Sequence, residues 1–205
     1  LLAQGADINA KDTNGSTLLM WACFFLGPAH MKSARLLVNR EADVNVRDLA
    51  GKTALIWAGD IGNLEAVKLL LRYGADVNAR DGFGLTALQG AASEGLVEVV
   101  KFLLGRGADV NGADNGGGTA LLKAARKGHT EIVKALVENG ADVNREDNMG
   151  TAPLIAAATM GRIEVVRFLM ERGPTLKDRS GQVNKAFVWA VYHGRLEVAP
   201  FLLDQ

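Results

Sequence analysis

One interval, 33 residues, recurs through the chain in four columns at once. Asp48, Asp81, Asp114 and Asp147 keep it, and so do Thr53, Thr86 and Thr119. Gly62, Gly95, Gly128, Gly161 and Gly194 form a third column; Glu65, Glu98, Glu131, Glu164 and Glu197 form a fourth. Four chemically different columns in one register mean that one structural unit is repeated. A unit this short cannot bury a closed core alone. Neighbours must stack, and each touches only the next. The register gives the tail of a unit at 1–11 and a first full repeat at 12–47 with three extra residues. Repeats at 48–80, 81–113, 114–146 and 147–179 follow, and a degenerate, shortened unit closes at 180–205.

Each column has a physical reason. The threonine precedes a short apolar stretch such as TALIWA. Its hydroxyl can accept a bond from a free N–H of a first helical turn. The glycine that follows suits a left-handed helix end. A second stretch then starts (LEAVKLLL, VEVVKFLL, TEIVKALV, IEVVRFLM) with apolar residues at helical spacing. Its glutamate is placed at N3, facing the positive end of the helix dipole. Gly74, Gly107, Gly140 and Gly173 end this second helix. The GADVN and D-x-x-G segments that come next are rich in Asx and glycine, which predicts an extended turn or hairpin-like loop.

Composition narrows the function classes. Lys plus Arg is 23 and Asp plus Glu is 23, so there is no net charge to draw the chain to nucleic acid or an anionic membrane. No apolar run approaches the roughly 18 residues of a membrane-spanning helix. One cysteine, Cys23, cannot close an intramolecular disulfide, which fits a reducing, cytoplasmic setting. The chain opens on LLAQGADINA, in mid-unit and without Met, so further sequence is expected before it.

The strings GADVNARDGFGLTAL (74–88), GADVNGADNGGGTAL (107–121) and GADVNREDNMGTAPL (140–154) resemble the ankyrin-repeat family, and the resemblance covers essentially the whole chain. It implies an all-α helical solenoid of antiparallel helix pairs with projecting turns, and a single domain over 1–205. There are departures. The Thr-Pro-Leu-His signature is worn: Pro survives only as Pro153, and the His position holds Met20, Ile56, Gln89, Leu122, Ile155 and Val188. Loss of the Thr–His bonding is expected, with apolar packing in its place. The fifth unit ends GPTLK. The sixth has Lys185 for the threonine and Pro200 within its second helix, where an interior proline costs about 3 kcal/mol. Such decay suits a terminal cap. The first repeat has Glu41 in place of the helix-ending glycine and an aromatic insertion, FFLGPAHM (24–31).

The resemblance also implies that turn tips and first helices line a concave groove for a protein partner. Carried over by position, the candidate contacts are Trp21, Phe24, Phe25, Leu49, Trp57, Ile61, Phe83, Leu85, Lys123, Arg126, Lys127, Met149 and Met160. The aromatic and apolar members concentrate in the first three repeats, as interface anchors do. The competing reading of Phe24 and Phe25 is that they pack the insertion onto the first repeat. Lys123, Arg126 and Lys127 form a small basic patch suited to an acidic partner segment, or else an ordinary solvated face.

Catalysis is not expected. Cys23, His30, His129 and His193 lie on separate repeats or in the insertion, and a nucleophile and base must come within hydrogen-bonding reach. No C-x-x-C or H-E-x-x-H spacing occurs, and the GGG at 116–118 lacks the Lys-Ser/Thr of a phosphate loop. The expectation is a monomeric protein-binding module with no cofactor or metal, no nucleic acid and no membrane insertion. Two alternatives stay open: a small-molecule or nucleotide sensor using the groove aromatics, and a targeting arm of a larger protein.

Overall fold

The computed structural model describes residues 7–172 and 179–204. Twelve helices are found among them: α1 (Leu18–Phe24), α2 (Pro28–Val38), α3 (Ala54–Ile61), α4 (Leu64–Arg72), α5 (Ala87–Glu94), α6 (Val97–Leu104), α7 (Ala120–Lys127), α8 (Thr130–Glu138), α9 (Pro153–Thr159), α10 (Ile163–Arg172), α11 (Arg179–Tyr192) and α12 (Val198–Leu203). There is no strand among the described residues, only two isolated antiparallel bridges, Lys11 to Thr17 and Ala113 to Thr119. The chain divides into two compact units. One is Leu1–Ala91 with Glu98–Ala108; the other is Ala92–Val97 with Asp109–Gln205.

Within each unit, helices pair and stack in chain order. In the first, α1 packs on α2 and α3, and α3 on α4. In the second, α7 packs on α8 and α9, α9 on α10 and α11, and α11 on α12. Leu55, Ile56, Val67 and Leu70 are buried in the first unit; Leu121, Ile132, Val133 and Leu136 are buried in the second. Each such side chain contributes about 1.5–3 kcal/mol by leaving water.

The threonines cap as their position predicts. The hydroxyls of Thr17, Thr53, Thr86 and Thr119 accept from the N–H three residues on, at 3.2–3.4 Å. The bonding expected to vanish with the histidine survives in two repeats. Met20 Sδ accepts from the Thr17 N–H at 3.4 Å, and Gln89 Oε1 accepts from the Thr86 N–H at 3.0 Å. A flexible acceptor of the right length replaces the imidazole there; Ile56 and Leu122 simply pack.

Two local expectations are corrected. The second helices are capped later than expected, by Asn63 and His129, so Glu65 and Glu131 stand at N2 rather than N3. They still meet the positive dipole end, but no reciprocal capping box forms. Pro200 is the third residue of α12, whose N-cap is Glu197. Its missing N–H is one that no helix satisfies internally, so the interior penalty does not apply. Lys185, at the lost threonine, lies within the 14 residues of α11, because nothing there stops the helix from starting early. The GPTLK ending of the fifth unit falls outside the described residues.

The insertion has a simple structural form. Its three extra residues become an extra turn, Pro28–His30, at the start of α2, ahead of the buried Met31, Ala34 and Leu37. Where Gly62 ends α3 in the left-handed conformation at φ 78°, the first repeat has Leu26. A side chain makes that conformation unfavourable. The chain instead leaves α1 in an extended conformation at Phe25, φ −77° and ψ 132°, and Phe24, Phe25 and Leu26 reach solvent. Glu41 does take the helix-ending glycine's backbone, at φ 63°.

Candidate functional site

The tip aspartates organise the turns and the first-helix surface together. Asp12, Asp48, Asp81, Asp114 and Asp147 each donate their N–H to the carbonyl four residues on, at 2.9–3.1 Å. The Oδ1 of each accepts from a backbone N–H four residues on, at 2.8–2.9 Å. Oδ2 is thereby left to face the first helix. Asp12 Oδ2 accepts from Trp21 Nε1 at 2.9 Å, and Asp48 Oδ2 accepts from Trp57 Nε1 at 3.0 Å. Asp114 Oδ2 takes Lys123 Nζ at 2.6 Å. Asp147 Oδ2 lies 3.7 Å from Arg126. Asp81 is the exception: Oδ2 is buried without a hydrogen-bonding partner, and the residue nine places on is Gly90.

These contacts set the charges. The Trp21 N–H, with those of Ser16 and Asn14, holds the Asp12 carboxyl below its usual range. Burial alone would raise Asp114; the Lys123 ammonium and the Gly118 and Gly116 N–H groups outweigh it and keep the carboxyl low.

The first unit collects the aromatic candidates. Trp21 stacks on Phe25 with centroids 5.9 Å apart and meets Trp57 edge-on at 5.2 Å. Phe24 meets Trp57 edge-on at 5.3 Å and Phe25 at 5.4 Å, and Phe25 lies 5.2 Å from His30. The insertion therefore continues the ring network instead of covering it. Phe24 and Phe25 remain 38% and 44% exposed, and the two tryptophans are half-buried. Such edge-to-face and offset pairs hold one another by about 0.5–1.5 kcal/mol each. Leu49 and Phe83 project from the tips, while Ile61 and Leu85 are half-buried.

The second unit brings different candidates together. Met149 and Met160 line a cavity of about 460 Å³ with Ile155, Thr159 and Trp189, and Arg126 and Lys185 stand at it. The basic patch is largely neutralised: Lys123 pairs with Asp114 and Arg126 with Asp147, which leaves Lys127 on an exposed edge. The tip carboxylates had a readable signal in the sequence, a pairing nine residues apart (12 with 21, 48 with 57, 114 with 123).

The remaining reactive groups have structural settings. Cys23 is fully buried, and burial pushes its thiol up to about 12. His129 Nε2 bonds the Ser93 carbonyl at 3.0 Å, its ring lying where a side chain on Gly95 would stand. Asn63, Arg162 and Arg195 play the same part, donating to the carbonyls of Cys23, Arg126 and Thr159 at 2.8, 3.3 and 2.7 Å. These donors satisfy carbonyls that the ends of first helices leave open. No cluster of metal-ligating side chains and no helix long and apolar enough to cross a membrane occurs among the described residues.

A family model described as ankyrin repeats, three copies, matches residues 1–81, 61–147 and 88–180. No curated protein matches the chain. The capped helix pairs, the Asp-stapled tips and this coverage agree: the chain belongs to the ankyrin-repeat family, with its all-α repeat fold.

Proposed function

We propose that this chain is a protein-binding module, the general role of its family, and that its main anchor is the face formed by Trp21, Phe24, Phe25 and Trp57. The observation that carries this reading is the connected ring network left open to solvent. Contiguous exposed aromatic surface is unfavourable for an isolated soluble domain and is enriched at interfaces, where Trp dominates hot spots. The scaffold is rigid where it matters, because both indoles are tied to their tip carboxylates. Cys23 and His129, buried and bonded as described, support binding rather than chemistry.

Pull-down with the chain, followed by identification of the captured protein and titration with that protein purified, tests the reading. Trp21→Ala with Trp57→Ala should weaken the measured affinity at least tenfold while circular dichroism still shows a folded helical chain. Unchanged affinity in that double variant would remove this face as the anchor.

A further inference from the structure

We propose that the cavity over Ala156 in the second unit receives an aromatic side chain, phenylalanine or tryptophan, from the protein partner. This rests on the binding reading above and adds a second anchor to it, built from other residues.

The cavity exists because one side chain is short. Nine residues after the tip aspartate, Trp21, Trp57 and Lys123 each reach Oδ2 of that aspartate. Ala156, in the same position relative to Asp147, ends at a methyl group and lines the cavity. Gly90 is shorter still, but there the gap is closed from the preceding repeat: the Asp60 carboxylate lies so near that a Cβ would collide with Oδ1. The counterpart of Asp60 ahead of Ala156 is Arg126. It lies 3.7 Å from Asp147, and its side chain stays 46% exposed at the edge of the cavity. A space of about 460 Å³ therefore remains open.

The walls suit a ring. Met149, Met160 and Trp189 line the cavity and are all exposed, while Ile155 and Ala156 beneath them are buried. Large apolar groups gathered around a concavity are unfavourable in water until they are covered. Thioether sulphur packs well at the edge of an aromatic ring, and methionine adapts to the shape it meets. The first unit shows what a ring in this position does: Trp57 meets Trp21, the preceding member of the column, edge-on at 5.2 Å. The member of the column after Ala156 is Trp189, on α11, against which α9 packs. A ring lent by a partner at Ala156 thus finds an indole neighbour in the same way. In the sequence Ser180 replaces the tip aspartate nine residues before Trp189, so no tip carboxylate holds that indole.

Charge does not choose the occupant. Arg126 and Lys185 stand at the rim, and each already has an acid, Asp147 or Glu146, at 3.7 Å. What is left uncovered is apolar surface. The volume falls among concave ligand sites, roughly 300–1,000 Å³, and exceeds a single ring, so the partner's flanking backbone enters with it.

The probe is a short end-blocked peptide with one phenylalanine among glycine and serine, with leucine, glutamate and arginine counterparts. Each is titrated into the full chain while the methionine methyl signals and the Trp189 indole N–H are followed by NMR. The methyl of Met20, buried in the first unit, is the control. The phenylalanine peptide should shift Met149, Met160 and Trp189 saturably and leave Met20 in place. The leucine peptide should bind at least about threefold more weakly, and the charged peptides should give no saturable shift. Ala156→Trp fills the cavity from within and should abolish the response at both methyls while circular dichroism stays helical. Met149→Ala, on an exposed tip, takes nothing from the core and should weaken the peptide about threefold to tenfold, read at Met160. The inference is overturned by the absence of a saturable shift or by equal binding of the leucine or a charged peptide. Unchanged binding in Met149→Ala overturns it too, as does a response that survives Ala156→Trp in a helical chain. If the double tryptophan variant keeps its partner affinity while the phenylalanine peptide still fills the cavity, the aromatic face fails and this site stands. If that variant loses affinity while the peptide shifts nothing, the face stands and this site fails.

Discussion

Nine residues after the tip aspartate, the first unit twice places tryptophan, Trp21 and Trp57, whereas the second places Lys123 and then Ala156. The carboxylate is the same and so is the bond: each long side chain donates to Oδ2. The consequence at the surface is opposite. Tryptophan uses its only donor internally and leaves π-surface. Lysine brings a charge that cancels the acid, and the second unit's open surface passes to Met149, Met160 and Trp189, with Arg126 and Lys185 beside them. One interchangeable position thus gives two repeats of the same backbone two different chemistries, which is how a shared scaffold can serve different ligands.

If the units differ only at the surface, their cores should respond alike, and this is where the largest effect lies. Leu70 and Leu136 occupy the same register in α4 and α8 and are both fully buried. Leu70→Ala and Leu136→Ala should each cost about 2–5 kcal/mol by urea unfolding. Costs that differ by more than about 2 kcal/mol would break the comparison, since the cavity term then depends on the unit.

The interchangeable donor gives a smaller effect. Trp57→Phe and Lys123→Met each leave a tip carboxylate without its side-chain donor, at about 1–2 kcal/mol. Lys123→Trp, which returns an N–H to Asp114, should recover most of that loss in the urea midpoint. If Lys123→Trp is no better than Lys123→Met, the position is not interchangeable and the two surfaces have separate structural origins.

The fold was legible because repetition multiplies weak local signals. One threonine before an apolar run is a poor helix start; three in register are decisive, and all three cap. What was not legible depends on contacts between repeats. Asn45, Asn78 and Asn111 look like ordinary turn residues, yet Nδ2 of each bonds the carbonyl of Gly74, Gly107 or Gly140 in the next repeat, at 3.0–3.4 Å. Lys123 and Arg126 look like a free basic patch because their acidic partners are nine and twenty-one residues away in sequence. The exposed aromatics were visible, since the insertion FFLGPAHM (24–31) stands out from the repeat register. That their indole donors were already occupied could not be read without the geometry of Oδ2.

The smallest effect is a dependence on pH. Asp12 and Asp114 are both held below their ordinary value of 3.8 in the folded chain. A carboxyl lowered on folding stabilises the native state when ionised, so its contribution is complete above the unfolded value and is lost as pH falls through the folded one. Asp114→Asn should therefore lower the melting temperature at pH 6, and the gap from the native sequence should narrow steadily below about pH 4. Solvent screening keeps the titrating part under about 1 kcal/mol. Asp12→Asn should show the same narrowing with a smaller amplitude, because Asp12 is exposed and its bond to Trp21 competes with water. A gap that widens in acid at either site would mean that the aspartate is held protonated, and that its partner is not the donor assigned to it.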